Sequence, residues 1–165
     1  MKGLLERRSI RKYKNTEVEE EKIEMLLKAG MSAPSAKGTE PWHFFVIRNR
    51  EILKKLSQIH PYAKMLENAP MAILVCFDEE NEEARDWFVQ DLSAATENIL
   101  VMATELDLGS VWLGVYPRED RVEGIKKLMG FEDDFLPFSL IAVGYADEKK
   151  EPKQDFSDNK VGYID

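Results

Sequence analysis

One cysteine and two histidines in 165 residues leave little room for thiol or metal chemistry. The single thiol, Cys76, can form no internal disulfide. Inside Pro70-Met71-Ala72-Ile73-Leu74-Val75-Cys76-Phe77 it reads as a small core residue. His43 and His60 lie far apart, with no cysteine or carboxylate at ligand spacing, so no metal site is expected. A strand face is the expected place for His43 and a helix end for His60. The nine glycines nowhere form G-x-G-x-x-G or a Walker pattern, which removes the dinucleotide-binding and P-loop sites. There is no G-x-S-x-G nucleophile elbow. No apolar run approaches the ~18 residues of a membrane span, and Met1–Glu6 does not open a secretory signal. The cytoplasm is the expected compartment, with no membrane partner. Acidic residues outnumber basic ones 31 to 23, a net charge of −8, which argues against a nucleic-acid partner.

The charge that is present is unevenly spread. Residues 1–14 hold Lys2, Arg7, Arg8, Arg11, Lys12 and Lys14 against Glu6 alone. An acidic chain that concentrates arginine in one short stretch has built either a local anion site or a solvated basic end. The acidic run Glu17–Glu24 is most simply a solvated helix face.

Periodicity predicts alternating helices and strands without repeats, linkers or low-complexity tracts. After a short helical start, Thr16-Glu17-Val18-Glu19 has the capping-box pattern and predicts a helix with Ile23, Leu26 and Leu27 inward, ending near Gly30 or Ala33. Strands are expected at Trp42–Ile47, at 71–77, at Ser110–Val115 and at Ser139–Tyr145. Further helices are expected from Asn49 to about Ile59 and from Glu119 to Met129. The longest should run from about Glu83 to Leu106, stopped by Gly109. Its Phe88, Leu92, Ala95, Ile99, Met102 and Leu106 form a wide apolar face, so it is central or packs on another subunit. Helices interleaved with four strands give an α/β or α+β sandwich. Ala146–Asp165 is too polar to bury a core of its own. It is a disordered tail or an arm laid on another subunit.

Three clusters could carry chemistry. In Arg7-Arg8-Ser9-Ile10-Arg11-Lys12-Tyr13 the planar guanidinium forks suit a phosphate, to which a serine hydroxyl can add a donor. The small-residue loop Ala33-Pro34-Ser35-Ala36-Lys37-Gly38-Thr39-Glu40-Pro41-Trp42 lets backbone groups approach a flat ligand closely. Gly109-Ser110-Val111-Trp112-Leu113-Gly114 is a strand with glycine at each end. Each has a plain alternative: a basic helix end, a helix–strand connection, and a core strand.

In this order the clusters resemble the nitroreductase family of FMN proteins. The likeness rests on the Arg-Arg-Ser-Ile-Arg opening, the Ala-Pro-Ser-Ala loop before Pro-Trp-His-Phe, the long helix ending in Leu-Gly, and Trp-Leu-Gly followed by Val-Gly-Tyr. It runs from about residue 4 to 145. The resemblance implies an α+β fold: a three-layer sandwich with a central, mostly antiparallel sheet flanked by helices, in an intertwined homodimer. It implies an FMN-binding domain over 1–145 and a C-terminal arm, 146–165, packing on the partner subunit. Arg7, Arg8, Ser9 and Arg11 would hold the phosphate and ribityl end. Pro34, Ser35 and Ala36 would line the flavin from the partner subunit, and Leu113 and Gly114 would present backbone to the N5 edge. Relatives commonly oxidise NADH or NADPH by ping-pong hydride transfer through FMN, so no side chain is nominated as a catalytic acid or base.

Two positions depart from the family pattern. Glu40 stands where Gln or Asn is common, which would disfavour anionic substrates. The tail residue expected on the phosphate is Lys153, with Lys160 behind it. The small acceptor is expected to be of nitroaromatic or quinone type. Alternatives within the scaffold are reductive dehalogenation, flavin fragmentation and flavin binding without turnover. A flavin-free interaction module whose basic N-terminus meets an acidic partner is the reading from another class.

Overall fold

A computed structural model describes residues 2–153 and 156–164. The helices are α1 (Lys2–Glu6), α2 (Glu20–Met31), α3 (Arg50–Ile59), α4 (Phe88–Glu105) and α5 (Glu119–Met129). The strands are β1 (Trp42–Ile47), β2 (Met71–Asp78), β3 (Gly109–Gly114) and β4 (Phe135–Gly144), in sheet order β1-β2-β4-β3. Every neighbouring pair is antiparallel.

The continuous apolar run of β2 is explained by burial on both faces. Met71 to Phe77 are 0–1% exposed, because helices cover each side of the sheet. On one side, Ile23 and Leu26 of α2 and Leu92 and Ile99 of α4 pack on Ile73, Val75 and Ile141. On the other, Leu53 and Leu56 of α3 and Val122 and Ile125 of α5 pack on Leu74, Cys76 and Leu140. This is the expected three-layer sandwich. Cys76 is fully buried, and burial pushes its thiol pKa up. A buried hydrogen bond of 2.9 Å between the hydroxyls of Thr96 and Ser139 ties α4 to the strand below it.

Several boundaries differ from expectation. No capping box opens α2: Glu19 occupies the cap position without a side-chain cap bond. Its carboxylate instead accepts from the Tyr145 hydroxyl at 2.7 Å. α4 begins at Phe88, since Glu82–Ala84 forms a separate 3₁₀ turn. β4 begins at Phe135 and runs through Pro137, which sits where the β2–β4 ladder shifts register between Val75 and Cys76. A bulge tolerates the missing N–H of proline.

The basic N-terminal segment is fastened by its apolar members. Ile10 and Tyr13 are 8% and 7% exposed, so the cations between and around them are turned outward. The Ile10 N–H donates to the Ser110 carbonyl at 2.9 Å, beside a parallel bridge between Ser9 and Ser110. The Tyr13 hydroxyl donates to the Ile10 carbonyl at 2.6 Å, and Tyr13 bridges Ala146. The tail then runs back along the segment: Lys14 N–H donates to the Tyr145 carbonyl, and Asp147 N–H to that of Lys12, both at 2.9 Å.

Gly109 permits this docking. A Cβ there would lie 2.8 Å from Ile10 Cγ2 and 2.9 Å from Ile10 Cβ, closer than such atoms approach. Gly109→Val should therefore lift Ile10 and destabilise the fold by about 1–3 kcal/mol, the usual cost of overpacking. Urea unfolding checks this, with Gly114→Ala as the neutral comparison, because a Cβ at Gly114 meets nothing within 4 Å.

Candidate functional site

The docked segment forms one wall of a cleft of about 290 Å³ lined by Arg7, Arg8, Ser9, Arg11, Lys150 and Lys153. Four of the expected site residues thus meet, and Lys153 joins them from the tail. Lys160 belongs to the Asp158–Lys160 turn and is not among the lining residues. The cations are held in place by acceptors at the rim. Arg7 Nε lies 3.1 Å from Glu97 of α4. Arg8 donates to the Glu151 carbonyl. Lys150 donates to the Ser9 carbonyl at 2.6 Å and lies 3.4 Å from Glu148. Glu148 in turn accepts from the Arg11 and Lys12 N–H groups, at 2.5 and 3.2 Å. The Arg11 N–H, then Lys150, hold its carboxyl below the usual carboxylate range.

From this cleft β3 leads away as an edge strand. In an antiparallel ladder a residue sends its N–H and C=O to the same side, and successive residues alternate. The Ser110 carbonyl faces outward to Ile10 and the Gly114 carbonyl faces outward to His60 and Arg121. Trp112 and Gly114 therefore present their backbone to the open edge, while Val111 and Leu113 face β4. Leu113 is buried, so its contact with anything on that edge runs through the peptide it shares with Gly114. Gly114 is exposed, and the space its Cβ would enter is empty of protein atoms within 4 Å. Ser110 to Gly114 spans ~13 Å at the usual strand rise.

Pro34, Ser35 and Ala36 do not line the cleft. Their loop is fixed at the start of α4, where the Ala36 N–H donates to Asp91 Oδ1 at 3.0 Å. The Ser35 hydroxyl accepts from the Glu40 N–H at 2.9 Å. Lys37, Gly38 and Glu40 all have positive φ, so the chain turns tightly here. Asp91 is 5% exposed, and its Oδ2 is buried without a partner. A larger cleft of about 640 Å³ lies elsewhere, along residues 15–20, Arg48, Arg50, Pro70 and Met71. Its arginines are engaged: Arg48 pairs with Glu20, and Arg50 holds the carbonyls of Ala69 and Glu67.

A sequence model of the Nitroreductase family matches residues 4–60 and 58–145. The chain belongs to the nitroreductase family. It is 47% identical over 161 residues to a Methanothermobacter thermautotrophicus protein provisionally named NADH dehydrogenase/NAD(P)H nitroreductase, covering 98% of this chain and 84% of that relative. The fold is that of an FMN-dependent nitroreductase of Clostridium difficile R20291, at a TM-score of 0.91 and 36% identity, covering 100% of this chain and 99% of the other. A Desulfovibrio desulfuricans protein, provisionally named a nitroreductase and solved in complex with FMN, superposes at a TM-score of 0.85. It is 26% identical, over 99% of this chain and 95% of that one.

In this member of the family, sequence reasoning passes over four residues that shape the site. Lys150 and Asp91 carry no local signal beyond their charge. His60 caps α3 as expected, but it is 2% exposed and reaches across the fold. Its Nδ1 accepts from the Tyr62 N–H at 3.2 Å, so Nε2 carries the proton and donates to the Gly114 carbonyl at 2.9 Å. Arg121 of α5 donates to the same carbonyl at 2.6 Å.

Burial lowers the His60 pKa from its ordinary 6.5 and outweighs the upward pull of the hydrogen bond to the Gly114 carbonyl; the Arg121 charge adds to the lowering, against a smaller upward pull from Asp120. Unfolded, His60 takes up its proton near pH 6.5; folded, it waits until lower pH. Its contribution is therefore complete above about pH 6.5 and falls as the pH drops toward the folded value. Chemical denaturation between pH 7.5 and 5 should show this loss, with a slope of at most about 1.4 kcal/mol per pH unit. The His60→Gln variant should be flatter over that range.

Proposed function

We propose that the chain is an FMN-dependent oxidoreductase that takes reducing equivalents from NADH or NADPH. It passes them, in a ping-pong sequence, to a small organic acceptor of nitroaromatic or quinone type. The observation that carries this reading is the convergence of Arg7, Arg8, Ser9, Arg11, Lys150 and Lys153 on one cleft, at the head of an open strand edge leading to Gly114. Guanidinium forks, ammonium groups and a hydroxyl form the donor set that a phosphate monoester needs. Empty space over a glycine is what a flat ring needs. The FMN in the names of the Clostridium and Desulfovibrio structures and the NAD(P)H in that of the Methanothermobacter relative support the same assignment.

In this reading Arg7, Arg8, Ser9, Arg11 and Lys153 hold the phosphate and ribityl end, with Lys150 beside them. Gly114 offers its N–H to the ring edge, and Leu113 contributes the carbonyl half of that peptide. Bound FMN supplies the two-electron chemistry, and the protein supplies binding, orientation and charge. Pro34, Ser35 and Ala36 reach the flavin of a second copy, in a homodimer. Exposed Met31, Trp87, Val89 and Tyr116 favour such an interface, as does the unpaired Asp91 oxygen beside the Ala36 loop. Glu40 in that loop favours neutral or cationic acceptors over anionic ones.

Two variants and two ligands test the placement. Arg11→Ala should weaken FMN by roughly ten- to a hundredfold, the loss of a hydrogen bond to a charged group at about 1.5–3 kcal/mol. It should leave riboflavin, which lacks the phosphate, nearly unaffected. Gly114→Val should weaken both, since its side chain would enter the ring's space. Fluorescence titration gives the four constants. Equal loss of both ligands in Arg11→Ala would place the phosphate elsewhere.

A further inference from the structure

The Gly114 carbonyl is served by more than a strand end requires. His60 already gives it a neutral donor, with the tautomer set by the Tyr62 N–H. Arg121 nevertheless adds a cationic donor to the same oxygen, and its Nε is buried with no acceptor. Burying part of a guanidinium with an unsatisfied N–H is costly, and hydrogen bonding to one carbonyl does not account for it. The Tyr62 ring stands 6.0 Å from that guanidinium, which adds a face favourable to a cation. Gly114 itself needs restraint. It has no side chain, lies last in β3, and is followed by Val115 and Tyr116, whose N–H groups both go to the Phe138 carbonyl. The Val115 bond holds the N–H side of the peptide after Gly114, and its carbonyl side is the one that His60 and Arg121 hold.

Building on the FMN reading above, we propose that His60 and Arg121 are positioning residues for the backbone of Gly114, whose N–H faces the flavin. Together they hold the Gly114 carbonyl at the open edge and so fix the extended backbone of Gly114, in which the N–H of the same residue points to that edge as well. Arg121 also sets a positive charge behind that contact. The first task governs how well FMN binds in either redox state. The second favours reduced flavin, which gains negative charge, over oxidised flavin.

The two tasks separate in the FMN-loaded protein. Affinity for oxidised FMN reads the clamp: His60→Ala should weaken it about tenfold, and His60→Gln, which keeps an N–H donor, should restore most of it. Equal affinity in these two variants overturns the clamp. The midpoint potential reads the charge. Arg121→Gln should lose about tenfold in affinity for reduced relative to oxidised FMN, a downward shift of about 30 mV for a two-electron couple. Arg121→Lys should recover most of the shift. A purely structural arginine would change the melting temperature while leaving the potential alone, and that result overturns the inference while leaving the FMN reading intact. Failure of the wild-type protein to bind FMN overturns both.

Discussion

Burial of Ile10 and Tyr13 against the ends of β3 and β4 places the basic segment, and the site is arranged around that anchor. Cations gathered in one small cleft repel one another and would splay apart on a free chain end. Two large side chains taken out of water, each contributing about 1.5–3 kcal/mol, oppose that repulsion. The Ile10–Ser110 backbone bond then fixes the register, so that Arg8, Ser9 and Arg11 meet β3 at a defined point. Gly109 completes the arrangement by leaving room for Ile10. Charge thus does not assemble this cleft; apolar contacts assemble it and the charge follows.

The tail adds a second layer of control. Glu148 takes the backbone N–H groups of Arg11 and Lys12 and pairs with Lys150, so a carboxylate organises the rim without filling the cleft. Around this basin the chain is acidic, with a net charge of −8. A positive cleft in a negative body focuses field lines on itself, which favours capture of a phosphate-bearing ligand and disfavours nucleic acid on the rest of the surface. Salt weakens both effects over a Debye length of about 10 Å at 0.1 M.

Much of this architecture is written locally. The Met71–Phe77 run could only be an interior strand, and the spacing of Phe88, Leu92, Ala95 and Ile99 marks the central helix. What stayed hidden depends on distant partners. Thr16 and Glu19 spell a capping box, yet Glu19 is drawn to Tyr145, 126 residues along the chain. Pro137 conceals the first half of β4, because only a bulge in β4 itself, beside Phe138, makes room for it. At the site, the Arg-Arg-Ser-Ile-Arg cluster is legible because its members are adjacent. His60 and Arg121 are not: they meet over a carbonyl 54 residues from the first, and nothing near either forecasts it.

The hydroxyl pair Thr96–Ser139 has a geometric corollary. Thr96 Oγ1 also donates to the Leu92 carbonyl within the helix at 2.7 Å, so α4 can neither roll nor slide against the sheet without stranding the buried Ser139 hydroxyl. The same helix carries Asp91, which grips the Ala36 loop, and Glu97, which grips Arg7. Six residues of helix make a spacer of ~9 Å between those two handles. α4 is therefore a fixed gauge, and the Thr96–Ser139 contact sets the zero from which both ends are measured.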